Sequence, residues 1–534
     1  MQNKILLEVR KLSMQDRPNF IIFIADQLRF DYLGCNGHQI VKTPNIDSIA
    51  SEGTNFSQFY VASPICMPNR ASLMTGRYPS VHGLRYNGNF LGRDATTFVN
   101  ALSEEGYNTS SIGKIHLQPM TVLPPYPWVN DEALGPIKES WSINHDDYTV
   151  EQAKNYTSNK YYEIPRPYYG FNHVDLVTGH GDKCNGHYMQ WLKENISDCK
   201  KFFDPQNQIP HNYSCRQGYR TPIPEEFYPT AFVEKKSVEY FNSIANKQNP
   251  FISFISFPDP HHPFTPPGKY WDMYDPDDFE VKLDYSSHQN PIPPMQNVYK
   301  AYKEGIEPKV STSVFMSEKR QIQESMALTA GMITMIDDAV GNVVQCLKKN
   351  KLYDNSVIIF TSDHGDYLGD FSLMLKGALP FRSITNVPFI WSDPLTRKAK
   401  TSNALSSTID IAPTILSRAN VKPYWGIQGI DINESISSNL SLRNELMIEY
   451  HDNLARFGFD RPAFVRSLIT DEYRFTMYKN ENFGELYHLK NDPWETTNLY
   501  ENPKYKDIKS ELTETLVHQM MENIDKSPAP KWLA

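Results

Sequence analysis

Three stretches of this chain are apolar at odd and even positions alike and then stop abruptly on polar residues: NFIIFIADQ (Asn19–Gln27), PFISFISFPDPHHPF (Pro250–Phe264) and SVIIFTSDHGD (Ser356–Asp366). A strand with one wet face alternates apolar with polar; a strand covered on both faces has no reason to. These runs therefore predict strands buried on both sides in a parallel or mixed sheet. NTSSIGKIHL (Asn108–Leu117) predicts a fourth, weaker strand. Helical stretches lie between them, at Thr43–Gly53, Thr230–Asn246 and Ser325–Asn350. Strands alternating with helices predict a doubly wound α/β domain.

After about Asn433 the pattern changes. ELMIEYH, AFVRSLIT, YRFTMYKN and GELYHLK are short runs separated by turns; they predict a small antiparallel sheet, followed by an amphipathic helix near Lys506–Ile524. With 534 residues the chain exceeds one compact core. The expected division is a large domain over 1–432 and an α+β subdomain over 433–534. Residues 130–228, rich in Tyr, Asn, His and Pro, are expected as a long insertion over the sheet, where specificity usually resides. His180, Asp182, His187 and Trp391 either line a substrate pocket or serve structure alone.

Doubly wound sheets bind ligands at the carboxyl ends of their strands. Asp26, Lys114, His116, His261, Asp363 and His364 fall at those ends. The net charge of −9 offers no basic face for nucleic acid, so an anionic ligand must be held by a few local cations. In the opening MQNKILLEVRKLSMQDRPN, Glu8, Arg10 and Lys11 interrupt the apolar run. No signal peptide, membrane span or membrane partner is read there, and the cytoplasm is the expected location. The six cysteines, Cys35, Cys66, Cys184, Cys199, Cys215 and Cys346, form no CxxC pair; Cys184, Cys199 and Cys215 could pair in an oxidising compartment, and in a cytosolic protein are expected as free thiols.

SPICMPNRASLMTGRYP (Ser63–Pro79) sets Cys66 among turn-formers and beside a cation. That setting predicts an exposed, activated thiol and not a structural one. CMPNR (Cys66–Arg70) fits C-x-P-x-R. It resembles the maturation signature of type I sulfatases, in the alkaline phosphatase superfamily, whose cysteine is oxidised to Cα-formylglycine. The resemblance covers nearly the whole chain. IADQLRFDYLGCNG, GKIHL, DPHHPF, TSDHGDYLGDFSLMLKG and GELYHLKNDPWETTNL look like further elements of that family, in its order. Asn69 stands where many members have Ser. The pairs Asp26-Gln27 and Asp363-His364 look like those of the choline sulfatase and phosphonate monoester hydrolase branch.

The resemblance implies a large mixed sheet flanked by helices and a small C-terminal antiparallel sheet. It also implies hydrolysis of an organic or saccharide sulfate ester to alcohol and sulfate. The alternatives are a phosphonate monoester or phosphodiester hydrolase using the same aldehyde, and an anion-binding homologue whose Cys66 stays unconverted. Asp26, Gln27, Asp363 and His364 are the implied metal ligands, for Ca²⁺ or alternatively Mn²⁺. A hydrated formylglycine at 66 would offer one hydroxyl to attack sulfur and a second to collapse the covalent ester. Arg70 and Lys114 would hold that hydrate, His116 would exchange its proton, Lys376 would bind a sulfate oxygen, and His261, with Lys376, would protonate the leaving alcohol. His262 is the neighbour easily confused with His261. A formylglycine-generating maturation enzyme is the implied partner. The PKWLA tail and the Pro-rich PIPPM loop are either homo-oligomer contacts or plain surface.

Overall fold

The computed structural model describes residues 17–123, 140–158, 160–308, 312–456 and 458–532. The N-terminal segment discussed above lies largely outside the described residues.

The main sheet has nine strands. In chain order they are β1 (Asn19–Asp26), β2 (Thr54–Phe56), β3 (Asn108–Gly113), β4 (His173–Thr178), β5 (Asn185–Gly186), β6 (Phe251–Pro260), β7 (Ser356–Ser362), β8 (Phe389–Ser392) and β9 (Lys400–Ser402). Their spatial order is β9-β2-β8-β7-β1-β6-β3-β4-β5. The central run β7-β1-β6-β3-β4 is parallel throughout. β8 runs antiparallel to β7 and to β2, so the sheet is mixed.

Both faces of β1 are buried, which explains its unbroken apolar run. Ile21 and Phe23 face one core with α3 (Pro229–Ile244) and α4 (Lys319–Lys349), beside α1 (Pro44–Ser51). Phe20, Ile22 and Ile24 face the other, with α2 (Cys66–Thr75) and α5 (Ile411–Arg418). α4 is long and apolar enough to cross a membrane, but 83% of its apolar window is buried inside the protein, where it serves as a core helix.

Four further strands form an antiparallel meander: β10 (Glu445–His451), β11 (Phe464–Thr470), β12 (Tyr473–Tyr478) and β13 (Gly484–His488). Met447, Leu468, Phe475 and Leu486 of this sheet pack with Leu512 and Leu516 of α6 (Lys506–Glu522) and with Ala62, Tyr78 and Ile409 of the main body.

Three expectations shift. The strand in 108–117 ends at Gly113, whose φ is 106°. A Cβ there would lie 1.9 Å from the Ser256 carbonyl oxygen, so only glycine permits the turn that lifts Lys114 and His116 out of the sheet. The region 130–228 is more than an insertion: β4 and β5 extend the sheet itself. The prolines of PIPPM open the helix Pro293–Lys303, where a missing N–H costs nothing in the first turn.

Candidate active site

Five neighbouring parallel strands deliver polar residues from their carboxyl ends. Asp363 and His364 follow β7, Asp26 and Gln27 end β1, and His261 and His262 follow β6. Lys114 and His116 follow β3, and His180 follows β4. The register Ala25↔Ser362 sets Asp26 beside Asp363.

α2 supplies the remaining groups. Cys66 is its first residue, and Pro68 sits in the first turn, where no N–H partner is forfeited. Arg70 follows Cys66 by four positions and so shares its face. The fully buried Arg70 donates from Nε to Asp363 Oδ2 (2.7 Å) and from Nη1 to the Lys114 carbonyl (2.8 Å) and Ser256 Oγ (2.9 Å). Its Nη2 lies 3.5 Å from Asp26 Oδ2 and donates no hydrogen bond. Asn69 donates to the Asp363 carbonyl (2.6 Å) and accepts from the Ala62 N–H (3.0 Å) and the Thr408 hydroxyl (2.7 Å). It thereby ties the helix to the end of β7.

Lys114 pairs with Asp26 and donates to His180 Nε2 (2.7 Å). Lys376 donates to Gln27 Oε1 (2.6 Å), His261 Nε2 (2.8 Å) and Cys66 Sγ (3.3 Å). Three buried cations, Arg70, Lys114 and Lys376, thus meet two buried carboxylates, Asp26 and Asp363, inside an acidic protein. Burial pushes the Asp26 carboxyl up, but the charges of Lys114 and Arg70 outweigh it and hold Asp26 well below its usual range.

The histidine tautomers follow from their partners. His364 Nδ1 is 2.8 Å from the Gly365 carbonyl, so it carries the proton and leaves a lone pair on Nε2. That Nε2 faces Cys66 Sγ (3.0 Å), Asp363 Oδ1 (3.6 Å) and Asp26 Oδ1 (3.8 Å). Burial, then the Lys376 charge, push His364 down to about 4, which keeps the imidazole neutral. His261 Nδ1 donates to the His262 carbonyl (2.6 Å), leaving Nε2 to accept from Lys376.

Ligating atoms of Asp26, Cys66, Asp363 and His364 all lie within 4.8 Å of one another. Two carboxylates, a neutral imidazole with its lone pair inward and the nearby Gln27 amide fit a hard divalent cation. The Gln27 oxygen is engaged by Lys376 here, and its Nε2 donates to Asp366.

Ten sequence-predicted residues are therefore placed at one end of the sheet, with one correction. Cys66 is 1% exposed, and burial, with the Asp26 charge, pushes its thiol up to about 11. The flanking turn-formers belong to a helix start packed under the sheet edge, so the thiol is neither exposed nor activated.

The structure also brings His180 and His262, both left open above, to the site and adds Glu151 behind it. The His180 ring stacks on His261 at 3.6 Å. The signal was the run HVDLVT before TGHGD, which went unread as a strand. His262 Nδ1 is 3.3 Å from Gln27 Nε2, so both histidines of the pair face the site. Glu151, fully buried, accepts from the backbone N–H groups of His116 (2.9 Å), Leu117 (2.9 Å) and Gln118 (3.2 Å) and from the Tyr168 hydroxyl (2.9 Å). It clamps a loop in which His116 has φ 60°. His187 instead braces the Leu176 N–H and Tyr162 carbonyl, and Trp391 lies in the sheet core.

His82, behind α2, accepts from the Leu84 N–H at Nδ1 (3.2 Å) and meets Ser72 Oγ at Nε2 (3.0 Å). Burial pushes it down to about 3 from 6.5. The unfolded chain then binds the extra proton between those values, so this contribution falls as pH drops below 6.5. Between pH 7 and pH 5 wild type is expected to lose about 2 kcal/mol through His82, a loss absent in His82→Gln. Urea melts of both proteins at the two pH values measure it; equal pH dependence would contradict the assignment.

Sheet and site together define a hydrolase of anionic esters on the alkaline phosphatase fold. The fold is shared with the phosphonate monoester hydrolase of Agrobacterium radiobacter: TM-score 0.76, 23% identity, 97% of this chain and 98% of that one. The sulfatase family profile matches residues 18–421, and that of the N-sulphoglucosamine sulphohydrolase C-terminal region matches 377–522. An arylsulfatase of Clostridium perfringens is 26% identical over 511 residues, covering 94% of each chain. An N-acetylglucosamine-6-O-sulfatase of Bacteroides thetaiotaomicron is 22% identical over 569 residues, covering 96% of this chain and 88% of that one. The chain belongs to the sulfatase family, a family of sulfuric ester hydrolases.

Proposed function

We propose that the protein hydrolyses the sulfate ester of a saccharide or small alcohol, using Cys66 converted to formylglycine by a maturation enzyme. The observation that carries this reading is the position of Cys66: first residue of α2, between the Asp26–Asp363–His364 cluster and Lys376. The saccharide side of the reading is supported by the relative that acts on N-acetylglucosamine 6-O-sulfate.

A divalent cation, Ca²⁺ or Mn²⁺, held by Asp26, Gln27, Asp363 and His364, would supply Lewis-acid polarisation of the ester oxygens. The aldehyde hydrate at 66 would supply the attacking hydroxyl and the hydroxyl that later collapses the sulfated intermediate. Around these, the chain's own groups bind and move protons. Lys376 fixes a sulfate oxygen, and His261 and Lys376, joined through His261 Nε2, together return a proton to the departing alcohol oxygen. Arg70 keeps Nη2 free for the hydrate, Lys114 bridges Asp26 and His180, and His116, its buried Nδ1 unpartnered, takes the hydrate's proton. In the same reading the catalytic domain runs through residue 432 and the subdomain 433–534 closes one flank of it, through the contacts of Ala62, Tyr78 and Ile409.

A phosphonate monoester is the second reading, favoured by the Asp-Gln and Asp-His pairs. Paired 4-nitrophenyl sulfate and 4-nitrophenyl phenylphosphonate assays separate the two. The expected result is at least about tenfold higher kcat/KM on the sulfate. An equally large preference for the phosphonate would replace the sulfatase reading.

A further inference from the structure

A cavity of about 760 Å³ opens between residues 82–94 and 140–148. Its position is set by two hydrogen bonds. Asn87 Oδ1 accepts from the N–H of Met67, the residue after Cys66 (3.1 Å), and the Leu91 N–H donates to the carbonyl of Leu117, the residue after His116 (2.9 Å). One short loop therefore carries a wall of the cavity and is pinned at its middle, through Asn87 and Leu91, to the residues that follow Cys66 and His116.

The lining is aromatic and hydrogen-bonding. Phe90 stacks on Tyr148 with ring centroids 3.8 Å apart, and Trp141 is 60% exposed beside them. Arg93 donates to the Asp147 carbonyl (2.5 Å) and lies over the Tyr148 ring. Arg85 is exposed and has no hydrogen-bond or ion-pair partner among the described residues. The carboxylates of Asp94 and Asp147 offset the two guanidinium charges, so the wall is not a general anion trap. The exposed Trp141 ring, beside donors and acceptors at the rim, suits a pyranose, whose apolar C–H face stacks while its hydroxyls bond. The free Arg85 adds one point of contact for an anionic substituent.

We propose that this cavity is a binding subsite for a sugar unit adjoining the one that carries the scissile sulfate. The proposal rests on the saccharide sulfatase reading above and extends it to an oligosaccharide substrate.

Hydrolysis of 4-nitrophenyl sulfate, glucosamine 6-sulfate and a heparin-derived tetrasaccharide ending in that sugar is compared in wild type and in Arg85→Ala/Trp141→Ala. Both side chains are exposed, so folding is preserved. The expected result is at least about a tenfold loss of kcat/KM on the tetrasaccharide with the aryl sulfate unchanged. Equal losses on both, or none on the tetrasaccharide, would overturn the subsite. A turnover-independent arm keeps the two readings apart: calorimetric titration of Cys66→Ala protein with the tetrasaccharide, with and without the Arg85 and Trp141 substitutions. Affinity at least about tenfold weaker in the triple variant supports the subsite even if no sulfate is hydrolysed. Equal affinity, or no binding to Cys66→Ala, overturns it even if aryl sulfate turnover is robust.

Discussion

Cys66→Ser protein, made in a host that does not convert serine, is expected to lose turnover by at least about a thousandfold. The reason is chemical and not steric. Serine at the start of α2 keeps one hydroxyl near Lys376 and His364, yet a sulfated serine has no second hydroxyl through which to collapse. Mass spectrometry of the wild-type peptide containing residue 66 reads the same point directly. Replacement of CH₂SH by CHO is expected in protein from a maturation-competent host. An intact thiol there, or wild-type turnover by the serine variant, would remove the aldehyde from the mechanism and leave an anion-binding homologue.

The second large effect is expected on metal removal. EDTA followed by gel filtration should abolish turnover, and Ca²⁺ or Mn²⁺ should restore it. The readout that does not depend on activity is thermal melting: the chelated protein should gain stability on addition of the ion, by about 2.7 kcal/mol when the ion is at a hundred times its dissociation constant. Chelation tests the cluster more cleanly than Asp26→Asn or Asp363→Asn. Both carboxylates are completely buried against Arg70 or Lys114, and neutralising one leaves these buried cations facing a single carboxylate, costing about 3–5 kcal/mol of folding stability by itself. Full activity after exhaustive chelation, with no metal found by elemental analysis, would strip Asp26 and Asp363 of their assigned role.

The central strands were legible because burial on two faces writes a continuous apolar run, as in Phe20–Ala25 and Val357–Phe360. The meander of β10–β13 was legible for the complementary reason: short strands with turns between consecutive partners need no long-range information. β4 was not, because it lies near the sheet edge inside a region whose Tyr, Asn and Pro content reads as loop, and its pairing with β3 is a tertiary event. His180 was noticed but left open between pocket and structure, because the strand that carries it was not seen.

The chain by itself determined which chemistries are present and where they stop the strands: Asp26, Lys114, His261 and Asp363 each follow a run that ends in polar residues. The helix that sets Cys66 and Arg70 on one face was not read in the chain, where the segment passed for turn-formers. Only the tertiary structure decided what each group experiences. Parallel pairing of five strands brings their ends together, and closing α2 over them buries Cys66, so that desolvation and the neighbouring Asp26 hold its thiol neutral where local context had suggested activation. The same packing recruits His180 and Glu151 from a distant segment. Residue type and spacing are local properties of the chain; burial and charge proximity are properties of the fold, and they set the ionisation and reach of every group in the site.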